Sequence, residues 1–114
     1  MTGSQTINLS DRISNQLTGI VLCWSDYNNG HASNYEWSFQ FIPKDYVMRG
    51  FASNLYNVTH FMISIDANGA HAGAKSVHIT DTTIKGDDRN SSNVTAGGIT
   101  LNNARWVLRY VFGV

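Results

Sequence analysis

The segment from Ser25 to Tyr35 gathers two tyrosines, an aspartate, a histidine and several amides in one short stretch (Ser25-Asp26-Tyr27-Asn28-Asn29-Gly30-His31-Ala32-Ser33-Asn34-Tyr35). An aromatic ring can stack on the apolar face of a sugar while carboxylate and amide groups bond its hydroxyls, the division of labour of a polar site with a few aromatic anchors. Trp24, Asp26, Tyr27, His31 and Tyr35 are therefore the candidate ligand-binding residues. The competing reading is a solvent-exposed hairpin loop whose tyrosines pack against their own strands. A second polar loop, residues 81–93, brings Asp87, Asp88, Arg89 and Asn90 together and could meet a ligand or a neighbouring subunit.

Catalytic chemistry is harder to assemble. Glu36 is the sole glutamate, set on the polar side of an alternating stretch where a solvated or cross-strand-paired carboxylate is the ordinary outcome. Asp87 and Asp88 follow Gly86, and a Gly-Asp-Asp turn serves more often as a turn than as a metal or acid–base site. His31, His60, His71 and His78 lack zinc-ligand spacing, and Cys23 is the single cysteine. It falls inside an apolar run, as an inert core thiol would. No glycine-rich phosphate loop opens a helix. The expectation is a non-enzyme with no cofactor and no metal.

Composition narrows the class further. The chain has 114 residues, enough for one domain with a real core. Only 14% of the residues are charged, the deficit being filled by Ser, Thr and Asn, which suits an extracellular or virion-exposed β protein. Lys plus Arg and Asp plus Glu number 8 each, so no basic excess supports nucleic-acid or anionic-lipid binding. No apolar run approaches the ~20 residues of a membrane helix, and the first residues lack a signal core. A lone cysteine also excludes a disulfide scaffold.

The elements that must position these residues read as strands. Thr18 to Ser25 is apolar on both faces and rich in β-branched and aromatic residues, as in a strand buried on two sides. Tyr35-Glu36-Trp37-Ser38-Phe39-Gln40-Phe41 alternates aromatic with polar, the pattern of a half-buried strand. Two more strands are expected over Val58 to Asp66 and Lys75 to Thr80, joined by an Asn68-Gly69 turn. Pro43 to Val47 fits one turn of helix. The last strand, Trp106 to Val114, is expected to be central, with Trp106, Leu108, Tyr110 and Phe112 facing the core. Its opposite face, Arg105, Val107, Arg109 and Val111, is the candidate oligomer interface. Turn clusters between the runs (Asp26 to Gly30, Lys85 to Asp88, Ala96 to Gly98) complete the pattern of an all-β chain, an antiparallel β-sandwich of jelly-roll-like form over residues 1–114.

Three ordered blocks, Gly19 to Ser25, Phe39 to Lys44, and Gly98 to Asn103 leading into Trp106 to Val114, resemble the C-terminal head domain of tail-fibre and baseplate appendage proteins of phages infecting Gram-positive bacteria. Leu9 to Ser14 and Ile84 to Asp87 fit the same domain, so the resemblance spans nearly the whole chain. It implies a homotrimeric receptor-binding domain at the tip of a virion tail, held to other tail proteins by a long preceding region. Such a domain binds a host cell-wall saccharide non-covalently, is made in the host cytoplasm without a signal peptide, and uses neither nucleic acid nor membrane. The binding loops of the family vary, so no contact residue is carried over by motif. The alternatives are a structural trimerisation cap without a ligand and, least favoured, a wall glycan hydrolase.

Overall fold

The structure, a computed structural model, describes residues 1–49, 59–63 and 72–114. In chain order the strands are β1 (Thr6–Asn8), β2 (Gly19–Asn28), β3 (His31–Ala32), β4 (Ser38–Pro43), β5 (Thr59–Ile63), β6 (Gly73–Ile79), β7 (Thr83–Lys85), β8 (Asn93–Ala96), β9 (Ile99–Asn102) and β10 (Trp106–Gly113). One short helix, α1 (Lys44–Met48), follows β4, with Pro43 as its N-cap at φ −62°, a value the proline ring imposes. Every pairing is antiparallel, as expected for an all-β chain. Among the described residues no helix is long and apolar enough to cross a membrane.

Two sheets carry the fold. The first runs β1-β7-β6-β5; in the second, β2 lies at the centre and pairs with β10, β3 and β4. The terminal strand is thus an edge of its sheet, and β2, paired along both of its sides, is the axis. Ile20, Leu22 and Trp24 of β2, Ile42 of β4 and Trp106 of β10 meet Val77, Ile79 and Ile84 of the other sheet, closed by Ile13 and Val47. Each of these side chains is almost fully removed from water.

Two hairpins turn on left-handed residues. Asn29 (φ 52°) and Gly30 (φ 77°) link β2 to β3, and Gly97 (φ 59°) with Gly98 (φ 79°) links β8 to β9. Consecutive positive φ values match the right-handed twist of the flanking strands, which is why Asn-Gly and Gly-Gly stand there. The anticipated Asn68-Gly69 hairpin and most of the strand expected over Val58 to Asp66 lie outside the described residues, apart from β5.

The alternating stretch from Tyr35 departs from expectation in two ways. Glu36 sits at φ 59°, in the left-handed region, so the extended strand begins only at Ser38. Within β4 it is then the polar side that turns inward: Ser38 pairs with Trp24, Gln40 with Leu22 and Ile42 with Ile20. Ser38 is buried while Phe39 and Phe41 are exposed. Register explains the inversion. The inward side of β2 already carries Ile20, Leu22 and Trp24, and a serine opposite the Trp24 indole leaves space for it.

The closing strand is corrected as well. A β-bulge interrupts its pairing with β2: Leu108 stands opposite Trp24, yet Tyr110, two residues later, stands opposite Cys23, so Arg109 is the extra residue. A one-residue slip exchanges the faces beyond it. Trp106 and Leu108 face the core as expected, but Val111 replaces Tyr110 and Phe112 there.

Candidate functional site

The loop singled out in the sequence divides between core and surface. Trp24 is fully buried in the core cluster. Asp26, 1% exposed, accepts a hydrogen bond at 3.0 Å from Arg105 Nε, and the pair ties β2 to the start of β10. Neither side chain faces a ligand in this arrangement, because the parity of β2 directs both inward beside Leu22. Tyr27, His31 and Tyr35 do face solvent. The turn is held beneath them by backbone bonds from Ser33 N to Asp26 O (2.8 Å) and from Asp26 N to Tyr35 O (3.2 Å).

Tyr27 stands between two grooves. One, of about 320 Å³, is lined by Asn28, Asn29, Asn93, Asn102, Ala104 and Arg105 as well as Tyr27. Its amides can both donate to and accept from hydroxyl groups. The other, of about 720 Å³, opens between the N-terminal segment and β10; Tyr27, Lys75, Asn90, Trp106 and Leu108 lie in its wall. Tyr27 and Ala104 belong to both grooves, so a bound chain longer than one ring could pass across the tyrosine.

Lys75 is the group that sequence reasoning missed. It is 1% exposed; Nζ donates to Asn90 O at 3.1 Å and lies 5.6 Å from the Trp24 ring centroid, within cation–π reach. Burial lowers its pKa from 10.5 to about 8, because the ammonium has given up water. The signal was present in the parity of β6, where Lys75 shares the side of Val77 and Ile79 and so had to point into the core.

The second polar loop is committed to its own structure. Asp87 caps the turn Asp88–Ser91, accepting from Arg89 N at 2.9 Å and from the Arg89 guanidinium at 2.8 and 2.9 Å. His78 Nε2 lies 3.2 Å from Asp87 Oδ2, the oxygen that also accepts from Arg89 Nη2. The Arg89 hydrogen bonds hold the Asp87 carboxyl far below the usual carboxylate range. Asp88 accepts from Gly3 N at 2.8 Å. Asn90 is buried, accepting from Ser76 N at 2.7 Å and donating to Ser76 O and Met1 O. These bonds tie the loop to β6 and to the N-terminal segment, and leave no open carboxylate pair. Among the described residues no three of His, Cys, Asp and Glu converge as metal ligands.

The outer face of the β2-centred sheet presents a different surface. Phe39 and Tyr110 flank Cys23, and Phe41 and Phe112 flank Val21, so four rings stand in two rows across three strands. They are 59%, 57%, 53% and 45% exposed in that order. Trp37 stacks on Tyr110 with ring centroids 6.2 Å apart and planes 19° from parallel. The bulged Arg109 braces this end: its guanidinium donates to Ser25 Oγ (2.9 Å), Ser33 O (3.0 Å) and Asn34 Oδ1 (2.9 Å), and lies 5.1 Å from the Trp37 ring and 5.8 Å from Tyr110. Cys23 lies beneath the rings, 3% exposed, and burial pushes its thiol pKa up.

The four residues expected to share an interface therefore lack a common face. Arg105 is paired with Asp26, Arg109 is bound to the loop from β3 to β4, and Val111 packs on the core. Val107 alone keeps the expected parity, opposite Ser25. The bulge accounts for Arg109 and Val111, since it exchanges the sides of the residues beyond Leu108, whereas Arg105 lies before β10, in the short turn Asn103–Arg105.

No protein-family model matches this chain, and neither the curated proteins nor the solved structures contain a significant match to it.

Proposed function

We propose that this chain is a non-catalytic adhesion domain: a β-sandwich head of a phage tail appendage, assembled as a homotrimer, that binds a saccharide of the host cell surface. The observation that carries the reading is exposed Tyr27 between an amide-lined groove and a larger one. An aromatic platform flanked by amide donors and acceptors is the chemistry with which proteins hold sugar rings. The three-block resemblance supplies the biological setting, a distal virion tail contacting a bacterial wall. Weak single sites on a trimer, and several trimers on one tail, would raise avidity by ~10²–10⁴ without new contacts.

The test is retention of purified host wall fragments by the chain and by Tyr27→Ala and Asn102→Ala variants, with the supernatant analysed for released sugars. The reading expects retention by the wild type, a loss of tenfold or more in both variants, and no released product. Binding indifferent to both substitutions would remove the site, and soluble wall products would point to a hydrolase. The second reading, a trimerisation cap without a ligand, is favoured by the outer aromatic face, which offers rings but few polar groups. It expects assembly without retention of wall material.

A further inference from the structure

We infer that the outer face of the β2-centred sheet, bearing Phe39, Phe41, Tyr110 and Phe112, is covered by a neighbouring copy of this chain. The inference rests on the assembly half of the reading above. Saccharide retention is measured separately, so either can fail alone.

The inversion of β4 is the first argument. A strand that turns serine and glutamine inward and phenylalanines outward gains nothing from solvent on its aromatic side. Phe112 and Tyr110 reach that side because the bulge at Arg109 puts them there, against the parity set by Trp106 and Leu108. Two strands thus present aromatic rings to the same surface by separate local devices.

Area is the second. With Trp37, the four rings expose on the order of 500 Å² of aromatic surface, at the upper end of the largest apolar patch on a typical monomer. That is more than half of the ~800 Å² each partner contributes to a stable interface.

Charge identifies the occupant. The face carries no carboxylate among its described residues, and its one cation, Arg109, is satisfied by Ser25, Ser33 and Asn34. The rings themselves offer only the Tyr110 hydroxyl and the Trp37 indole N–H, few groups with which to read the hydroxyls of a sugar. A surface without unsatisfied charge is compatible with its own copy, and the chain's formal net charge of zero adds no long-range repulsion.

Sedimentation velocity of the full chain at micromolar concentration, alongside Phe41→Asp and Phe112→Asp, tests the inference. Folding is checked by far-UV circular dichroism. The expected result is a self-associated wild type and folded, monomeric variants. Phe39→Ser serves if a charged variant does not fold. Hydroxyl-radical footprinting of the wild type gives a reading without mutation: Tyr110 and Phe112 should become protected as concentration rises, while Tyr27 stays reactive. A monomeric wild type, association unaffected by these substitutions, or outer rings equally reactive at every concentration would overturn it. A monomer whose outer rings become protected on adding wall polysaccharide would overturn it in favour of a saccharide platform.

Discussion

The two sides of the β10-β2-β4 layer reverse the usual assignment of residue types. On the inner side β4 contributes Ser38 and Gln40 and leaves the apolar filling to Trp24, Leu22 and the opposing sheet. On the outer side it contributes Phe39 and Phe41, beside Tyr110 and Phe112, with no second sheet over them among the described residues. The contrast extends to the cations. Lys75 inside has a backbone carbonyl and a ring face, whereas Arg109 outside has three oxygen acceptors and two ring faces. The inner side is closed by the opposing sheet, whereas the outer side leaves four aromatic rings in solvent.

The largest separation between the sides should come from truncating their aromatic residues. Trp24→Ala is expected to destabilise the chain by about 3–5 kcal/mol in denaturant titration, the loss typical of a buried tryptophan. An outer-ring mutant that cost as much would erase the distinction. Arg105→Ala comes next, at about 3 kcal/mol, because it strands the Asp26 carboxylate in the core.

Lys75 makes the inner side sensitive to alkaline pH. Its folded pKa is about 8 against 10.5 for a free lysine, so between these values the unfolded chain binds more protons and stability rises with pH. The gain is on the order of 3 kcal/mol, complete above the unfolded pKa. Lys75→Met, which fits the same volume without charge, should remove that rise and be the more stable protein at neutral pH. A melting temperature with the same alkaline slope in both would contradict the buried ammonium.

Arg109→Ala is expected to cost about 1–2 kcal/mol, the scale of hydrogen bonds made by a charged donor. It should also loosen the stacking of Trp37 on Tyr110, read as a change in near-UV circular dichroism. The smallest effect belongs to Phe41→Ser, within about 0.5 kcal/mol for the isolated chain, as for other exposed sites. Measured under associating conditions, the same substitution should cost far more, and that difference measures the coverage of the outer face.

Much of this architecture was legible in the residues. The double-sided burial of β2, the helical turn after Pro43, the inward Val77 and Ile79 and the glycine turns follow from local pattern and backbone chemistry. The outward direction of Phe39 and Phe41 was not, because alternation reveals two faces without saying which one meets the core. That choice is made by the register with β2, a long-range fact. The bulge at Arg109 was hidden for a related reason: it is held by Ser25, Ser33 and Asn34, residues far away in sequence. Trp24 and Asp26 were placed in the ligand-binding loop although they continue the inward parity of Ile20 and Leu22, so their burial could have been read. Tyr27 borders two grooves whose other walls come from distant segments, which sequence spacing cannot reveal.

Small-angle X-ray scattering of the intact chain in solution addresses the outer face most directly. A single chain has a mass of 12.6 kDa and a Cα radius of gyration of 14.0 Å. If copies cover one another's aromatic faces, forward scattering at micromolar concentration should give a multiple of that mass and a clearly larger radius, both falling to single-chain values in Phe41→Asp. Wild-type scattering that stays at the single-chain mass and radius across the accessible concentrations would contradict the account.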